Sequence, residues 1–167
     1  VLAAISVARS GAQTAFMAPT EVLAEQHHRR LRRLLASGRQ PLRCVYLSAA
    51  IKGVARKQVL AEIADGRAQV VVGTQALLEE GVQFHRLALS IIDEQHRFGV
   101  MQRARLKSKG RQTHALVMTA TPIPRTLSMT LYGDLDVSVI DEMPPGRKPI
   151  KTMWYNSQKS EIVFAQV

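Results

Sequence analysis

The strongest constraint on this chain is a rhythm: short apolar runs alternate with longer stretches of helical periodicity. The runs are residues 13–18, 43–47, 69–73, 88–93, 114–119 and 137–140. Several are apolar throughout, as strands covered on both faces are, whereas a strand with one wet face alternates. The rhythm predicts an α/β chain with a mainly parallel sheet between helices on both faces. With 167 residues, 46% hydrophobic and 22% charged, the chain can bury one substantial core and does not have a disordered composition.

Between the runs, a helix is predicted from about Glu21, with Pro19 and Thr20 at its start and Gly38 beyond its end. At about 100° per residue, Leu23, Ala24, His27, Leu31, Leu34 and Leu35 share one side and Arg29, Arg30, Arg32 and Arg33 the other. A second helix covers about 54–64 and stops at Asp65-Gly66. Residues 97–111 carry Arg97, Arg103, Arg105, Lys107, Lys109 and Arg111 without an acid. The segment MPPGRKPIK, 143–151, reads as an extended connector. The expected organisation is one domain over 1–143, then a connector and the start of a second unit over 144–167. Helical patterns at both ends, 1–9 and 160–167, give the expectation of a piece of a larger protein.

Charge narrows the partners. Against 13 Asp and Glu stand 23 Lys and Arg, a net charge of +10. A polyanion, nucleic acid first, fits that excess, and solvated basic faces are the alternative. A single cysteine, Cys44, excludes an internal disulfide, fits a reducing compartment and reads as a buried core thiol. No run approaches the roughly 20 apolar residues of a membrane span, and none has a secretory layout. The expected place is therefore the cytoplasm, with no membrane and no disulfide partner. His27 and His28 have no partners at ligand spacing, and no C-x-x-C or H-E-x-x-H is present, so structural zinc is not expected. Trp154 and Tyr155 can stack on a base or pack where the second unit begins.

Four run ends carry chemistry. The run LALSII delivers Asp93 and Glu94, followed by Gln95 and His96. Open parallel sheets bind ligands at the C-terminal ends of their strands. There, one carboxylate can hold Mg²⁺ through its water shell while its neighbour polarises an attacking water. Taken alone, the pair is equally an Asp ending a strand beside a solvated Glu. The run 114–119 leads into Thr119-Ala120-Thr121, then a proline-fixed turn, where two hydroxyls can link a nucleotide site to its neighbours or simply cap a helix. Pro19-Thr20-Glu21 and Gly73-Thr74 each place a hydroxyl and backbone N–H groups at a strand end. That arrangement suits a phosphate or an ordinary N-cap.

Together the blocks APTEVLAEQH (18–27), DEQHRFGV (93–100), TATPIPRT (119–126), YGDLD (132–136) and IDEMPPGRKPI (140–150) resemble, in the same order, the first motor lobe of RecG-type ATP-dependent DNA helicases, bacterial superfamily 2 translocases. The resemblance spans about residues 13–153. It implies a RecA-like fold of the P-loop NTPase class, ATP and Mg²⁺ as cofactors, and branched or duplex DNA as partner. It also implies fork reversal and work on Holliday junctions in repair and recombination, at the bacterial nucleoid. Residue by residue, it implies that Asp93 coordinates Mg²⁺ and Glu94 activates water. Gln95 and His96 would couple nucleotide to DNA. Thr119, Ala120 and Thr121 would form the motif linking hydrolysis to movement. Pro19, Thr20, Glu21, Gly73 and Thr74 would lie along one DNA strand, reading phosphates rather than bases.

The chain also departs from the family's pattern. It contains no G-x-x-x-x-G-K-[ST] phosphate loop. The resemblance implies that this loop, and the strand before it, precede Val1, and that the strand lies beside 114–119. The expectation is an open apolar edge there and no ATPase activity from these 167 residues alone. Ser48-Ala49-Ala50 stands where a Thr-Gly-Ser-like stretch is usual, and Gln75 replaces a common His after the Gly-Thr pair. Two alternatives remain: a transcription-repair coupling translocase, which usually has Glu at the third position of the DExH block, and a non-catalytic nucleic-acid-binding module.

Overall fold

The structure, a computed structural model, describes residues 1–37, 41–94, 105–110, 112–120, 136–142 and 146. The chain forms two compact units, Val1–Pro122 and Ile123–Val167. In the first, the elements run α1 (Leu2–Arg9), β1 (Gln13–Met17), α2 (Glu21–Ala36), β2 (Cys44–Leu47), α3 (Gly53–Ala64), β3 (Val70–Gly73), a 3₁₀ turn (Gln75–Leu78), β4 (Leu87–Ile92) and β5 (His114–Val117).

The five strands make one sheet in the order β2-β3-β1-β4-β5, with every neighbouring pair parallel. Its two faces carry separate cores. Phe16, Val70, Val72, Leu89 and Ile91 pack with Ala4 of α1 and Ala24, Leu31 and Leu35 of α2. Ala15, Met17, Val45, Leu47, Val71 and Ile92 pack on the other face with Ile63 of α3 and Leu77 and Leu78 of the 3₁₀ turn. Helices on both faces explain why β1 and β3 are buried along their whole length and why β3 reads as an unbroken apolar run. Each fully buried Val, Leu or Ile contributes about 1.5–3 kcal/mol of transfer free energy.

The sheet contains one irregularity. Gln13 pairs with Leu87 but Thr14 pairs with Leu89, so the register skips Ala88. That extra residue sends Leu87 to the α3 face and Leu89 to the α2 face, although a step of two would keep them together. Gln13 braces the same place: its Nε2 donates to the carbonyls of Ile63 and Ala68 at 2.9 and 2.8 Å, and its Oε1 accepts from Arg86 N at 3.0 Å. A fork from Arg43 to the nearly buried Glu62, at 2.9 and 3.1 Å, ties β2 to the end of α3. The helix closes at Asp65, and the next residue, Gly66, takes the left-handed φ of +80° that ends helices cheaply only in glycine.

Two expectations fail. Leu34 does not join the core side of α2 and is 41% exposed. The buried stripe is Ala24, Leu31 and Leu35, and Leu34 lies roughly 80° from its centre, where α2 already curves away from the flat sheet. Residues 137–140, within the second unit, form no strand; Val137, Val139 and Ile140 are exposed. Apolar sequence alone does not make a strand without a backbone partner for its N–H and C=O groups. Among the described strands, β5 lies at the sheet's edge, with alternating exposure and Leu116 42% exposed.

Candidate nucleotide and nucleic-acid site

Because all five strands are parallel, their C-terminal ends open on the same edge of the sheet. The four segments of interest follow β1, β3, β4 and β5, which are consecutive in space. At about 4.8 Å per strand, β3 to β5 spans roughly 14 Å. The backbone ladder continues one residue past each strand. Ala18 N donates to Gly73 O at 2.9 Å, Asp93 N to Met17 O at 3.0 Å, and Met118 N to Ile92 O at 2.9 Å. The first residue of each segment is thereby fixed to the strand beside it.

Asp93 is held most firmly. Its Oδ1 accepts from the N–H of Glu94 at 3.1 Å, and its Oδ2 lies 2.7 Å from His27 Nε2 of α2. Its side chain is 20% exposed, so the carboxylate stands at the rim and not within the core. Glu94 adopts φ +51°, the left-handed region that disfavours a side chain with a Cβ. Such conformations cost of order 1 kcal/mol and cluster where function demands them.

The hydroxyls of Thr20 and Thr74 both act as caps. Thr20 Oγ1 accepts from Leu23 N at 3.3 Å and starts α2, and Thr74 Oγ1 accepts from Ala76 N at 3.5 Å and starts the 3₁₀ turn. A hydroxyl that accepts still has its own O–H to donate, so capping and a phosphate contact are compatible. Pro19, Thr20 and Thr74 are partly exposed and Glu21 is exposed. Gly73 is enclosed: a Cβ there would lie 2.2 Å from Leu47 O. Ser48 is buried and makes a tight turn after β2, its Oγ accepting from Ala50 N at 3.2 Å. Thr119 and Ala120 follow β5 and are exposed. Gln95, His96, Thr121 and the arginines at 97, 103 and 111 lie outside the described residues.

The donor set fits Mg²⁺ held mainly through water. Among the described residues, no three His, Cys, Asp or Glu side chains are grouped to cage a metal ion. Mg²⁺ keeps several waters and takes one or two carboxylates plus phosphate oxygens, so a single rim carboxylate such as Asp93 suits it.

The basic surface divides. Arg30, Arg32 and Arg33 are exposed on α2, and Arg29 pairs with Glu25 at 2.6 Å. Lys109 is absorbed by the fold: its Nζ donates to the carbonyls of Glu79 and Val82 at 2.7 and 2.8 Å, and burial lowers its pKa. Cys44 is the buried thiol expected, its pKa pushed up to about 12 by that burial. Burial likewise lowers the pKa of His28, which stacks on Tyr46 with ring centroids 5.7 Å apart. Among the described residues, no helix is long and apolar enough to cross a membrane.

Sequence reasoning missed His27 as a site residue. It fixed attention on metal-ligand spacing, whereas the partner of His27 lies 66 positions away. The available signal was its place in the APTEVLAEQH block, on the inward side of α2.

Comparison with known proteins agrees with this geometry. The sequence profile of the DEAD/DEAH box helicases matches residues 1–130. The chain is 51% identical over 170 residues to the ATP-dependent DNA helicase RecG of Pasteurella multocida, covering 99% of this chain and 24% of that protein. It is 53% identical over 156 residues to the protein of the same name from Escherichia coli K12, covering 91% of this chain and 22% of that one. The chain thus spans about a quarter of the length of the curated relatives it matches. Among solved structures it resembles the Mycobacterium smegmatis helicase Lhr bound to ssDNA and AMP-PNP, with a TM-score of 0.55 and 20% identity over 83% of this chain and 19% of that one. It also resembles the helicase MrfA bound to DNA, with a TM-score of 0.59 and 16% identity over 77% of this chain and 18% of that one. At such identities the structures speak for the fold alone.

Proposed function

The chain belongs to the DEAD/DEAH box helicase family, and from that premise we propose that it is most of the first motor lobe of an ATP-dependent DNA helicase of the RecG type. The observation that carries this reading is the placement of Asp93 and Glu94 at the end of β4, directly beside the strand ends that bear Pro19-Thr20 and Thr119-Ala120. The lobe occupies 1–143, with 144–167 as connector and start of a second lobe. The intact motor acts on branched DNA, at stalled forks and Holliday junctions, in repair and recombination, in the bacterial cytoplasm at the nucleoid.

Mg²⁺-bound ATP supplies the phosphoryl group whose transfer to water drives the motor. Asp93 would hold the metal's water shell, its carboxylate aimed by the two contacts at its oxygens. Glu94 accepts the proton of the attacking water, and its left-handed backbone sets the carboxylate's departure from the strand. Gln95 and His96, with Thr119, Ala120 and Thr121, relay the state of the phosphates. Pro19, Thr20, Glu21, Gly73 and Thr74 follow one DNA strand through its phosphates, so the motor ignores base sequence.

The test is Glu94→Gln in the full-length helicase. General-base loss removes about 10²–10⁴-fold of rate, so DNA-dependent ATP turnover should fall at least 100-fold while nucleotide binding persists. Near-wild-type turnover would overturn the reading. These 167 residues contain no G-x-x-x-x-G-K-[ST] to cradle the phosphates, and alone they should show no turnover. Turnover by this chain that vanishes on Glu94→Gln would refute that part.

A further inference from the structure

We propose that His27 is a positioning residue that aims the Asp93 carboxylate at its metal and ties that aim to α2, the helix that starts at the proposed DNA track. This rests on the function proposed above. Three observations carry it.

The contact is short and directional. His27 Nε2 lies 2.7 Å from Asp93 Oδ2. A carboxylate only accepts, so Nε2 carries the proton and donates it. The second oxygen, Oδ1, already accepts from Glu94 N, so the two bonds together fix the carboxylate's rotation. Among the described residues, the contacts that hold Asp93 without His27 are the one at Oδ1 and the backbone bond from Asp93 N to Met17 O.

The imidazole is itself held. Its ring lies against Phe16 of β1, with centroids 4.6 Å apart and a tilt of 40°. Phe16 is paired in the sheet with Ile91, two residues before Asp93. His27 is therefore wedged between the strand beneath it and the carboxylate it orients.

The helix makes the contact responsive. His27 sits in the second turn of α2, and Thr20 caps that helix. Seven residues at 1.5 Å each put the cap roughly 10 Å from His27 along a rigid rod. A phosphate that draws the α2 N-terminus toward it moves His27 as well. Asp93 then feels DNA through one helix and one hydrogen bond.

A metal held mainly through water is sensitive to how its carboxylate is aimed. Removing a residue that orients a metal ligand commonly weakens metal binding 10–100-fold.

The experiment compares His27→Ala and His27→Gln with wild type in the full-length helicase. The first readout is Mn²⁺ binding beside a non-hydrolysable ATP analogue, followed by electron paramagnetic resonance. His27→Ala should bind Mn²⁺ about 10-fold more weakly. His27→Gln, whose amide can donate to the same oxygen, should recover part of that loss. The second readout is the Mg²⁺ concentration for half-maximal DNA-stimulated ATP turnover. It should rise by a similar factor in His27→Ala, and excess Mg²⁺ should restore the rate. The ratio of DNA-stimulated to unstimulated turnover should fall. A merely structural histidine would lower the melting temperature and leave the Mg²⁺ dependence and that ratio in place. Should His27→Ala fail to fold, His27→Gln decides alone: a Mn²⁺ affinity below wild type supports the role, and an equal one overturns it. Wild-type Mn²⁺ affinity with an unchanged stimulation ratio overturns the proposal outright. The function reading fails separately, through undiminished turnover in Glu94→Gln, and the Mn²⁺ measurement needs no turnover to be read.

Discussion

Gly73→Ala isolates a steric requirement from the chemistry around it. Gly73 ends β3, paired with Met17 on one side and Leu47 on the other. An added Cβ would lie 2.2 Å from Leu47 O, and 3.0 and 3.1 Å from Leu77 Cγ and Cδ2. The Leu77 side chain can shift; the carbonyl cannot move without the strand. Relieving the contact to an ordinary distance needs about 1 Å of separation between β2 and β3. Overpacking of this kind costs typically 1–3 kcal/mol, and a backbone neighbour puts this case at about 3 kcal/mol. For a chain of this size that is a fall in Tm of about 6–12 °C. The strand shift would also disturb Thr74 N, which bonds Leu47 O, and Ala18 N, which bonds Gly73 O. The assay is thermal unfolding of wild type, Gly73→Ala and a control, Gly81→Ala, where a Cβ meets nothing within 4 Å. The control should stay within about 0.5 kcal/mol of wild type. If Gly73→Ala does so too, the close approach between β2 and β3 is not what selects glycine.

Two further outcomes follow from buried polar groups. Thr14 is fully buried, and among the described residues its Oγ1 has no hydrogen-bond partner, so Thr14→Val should stabilise the chain by about 1 kcal/mol in urea unfolding; destabilisation would mean the hydroxyl is satisfied. Hydrogen bonding from Arg43 holds Glu62 below its ordinary value of 4.5, so its stabilisation is complete above pH 4.5 and is lost as pH falls through the lower folded value. Because Arg43 is mostly exposed, Glu62→Gln should cost only about 1 kcal/mol at pH 7 and should flatten the acid limb of the stability curve; an unchanged acid limb would contradict the assignment.

Much of the fold was legible because burial leaves a direct trace in composition. Strands β1, β3 and β4 lie between two layers and are written as mainly apolar runs, so their positions could be read to within a residue or two. Thr20 announced the start of α2 because the side chain that caps a helix must be a short acceptor. What escaped depends on spatial order. The skip at Ala88 exists because β4 pairs with β1, and no local pattern encodes that partner. Lys109 looked like part of a basic face and instead closes two carbonyls of a loop thirty residues away. Residues 137–140 have a strand's composition but lack a strand's structure. At the site, Asp93 and Glu94 were legible from the run they end. The contact from His27 was not, since it arises where α2, packed over β2 and β3, brings His27 against Phe16 of β1.

The sheet order also bears on how two distant-looking tasks become one. In sequence, the residues proposed for DNA at 19–21 and 73–74 are separated by twenty to seventy positions from Asp93. In the sheet, the separation collapses onto Met17, the last residue of β1, and Ala18 just after it. Ala18 N bonds Gly73 O on one side, and Met17 O accepts from Asp93 N on the other. A displacement of β3 relative to β1 therefore reaches the peptide of Asp93, the proposed metal carboxylate, through two hydrogen bonds and a single covalent step. The central strand carries the backbone half of this link, and α2 with His27 carries the side-chain half. Both halves pass through the end of β1 or the helix that follows it and converge on Asp93. The proposed coupling between polymer and nucleotide needs no long chain of intermediaries, because the parallel topology makes the two proposed sites neighbours.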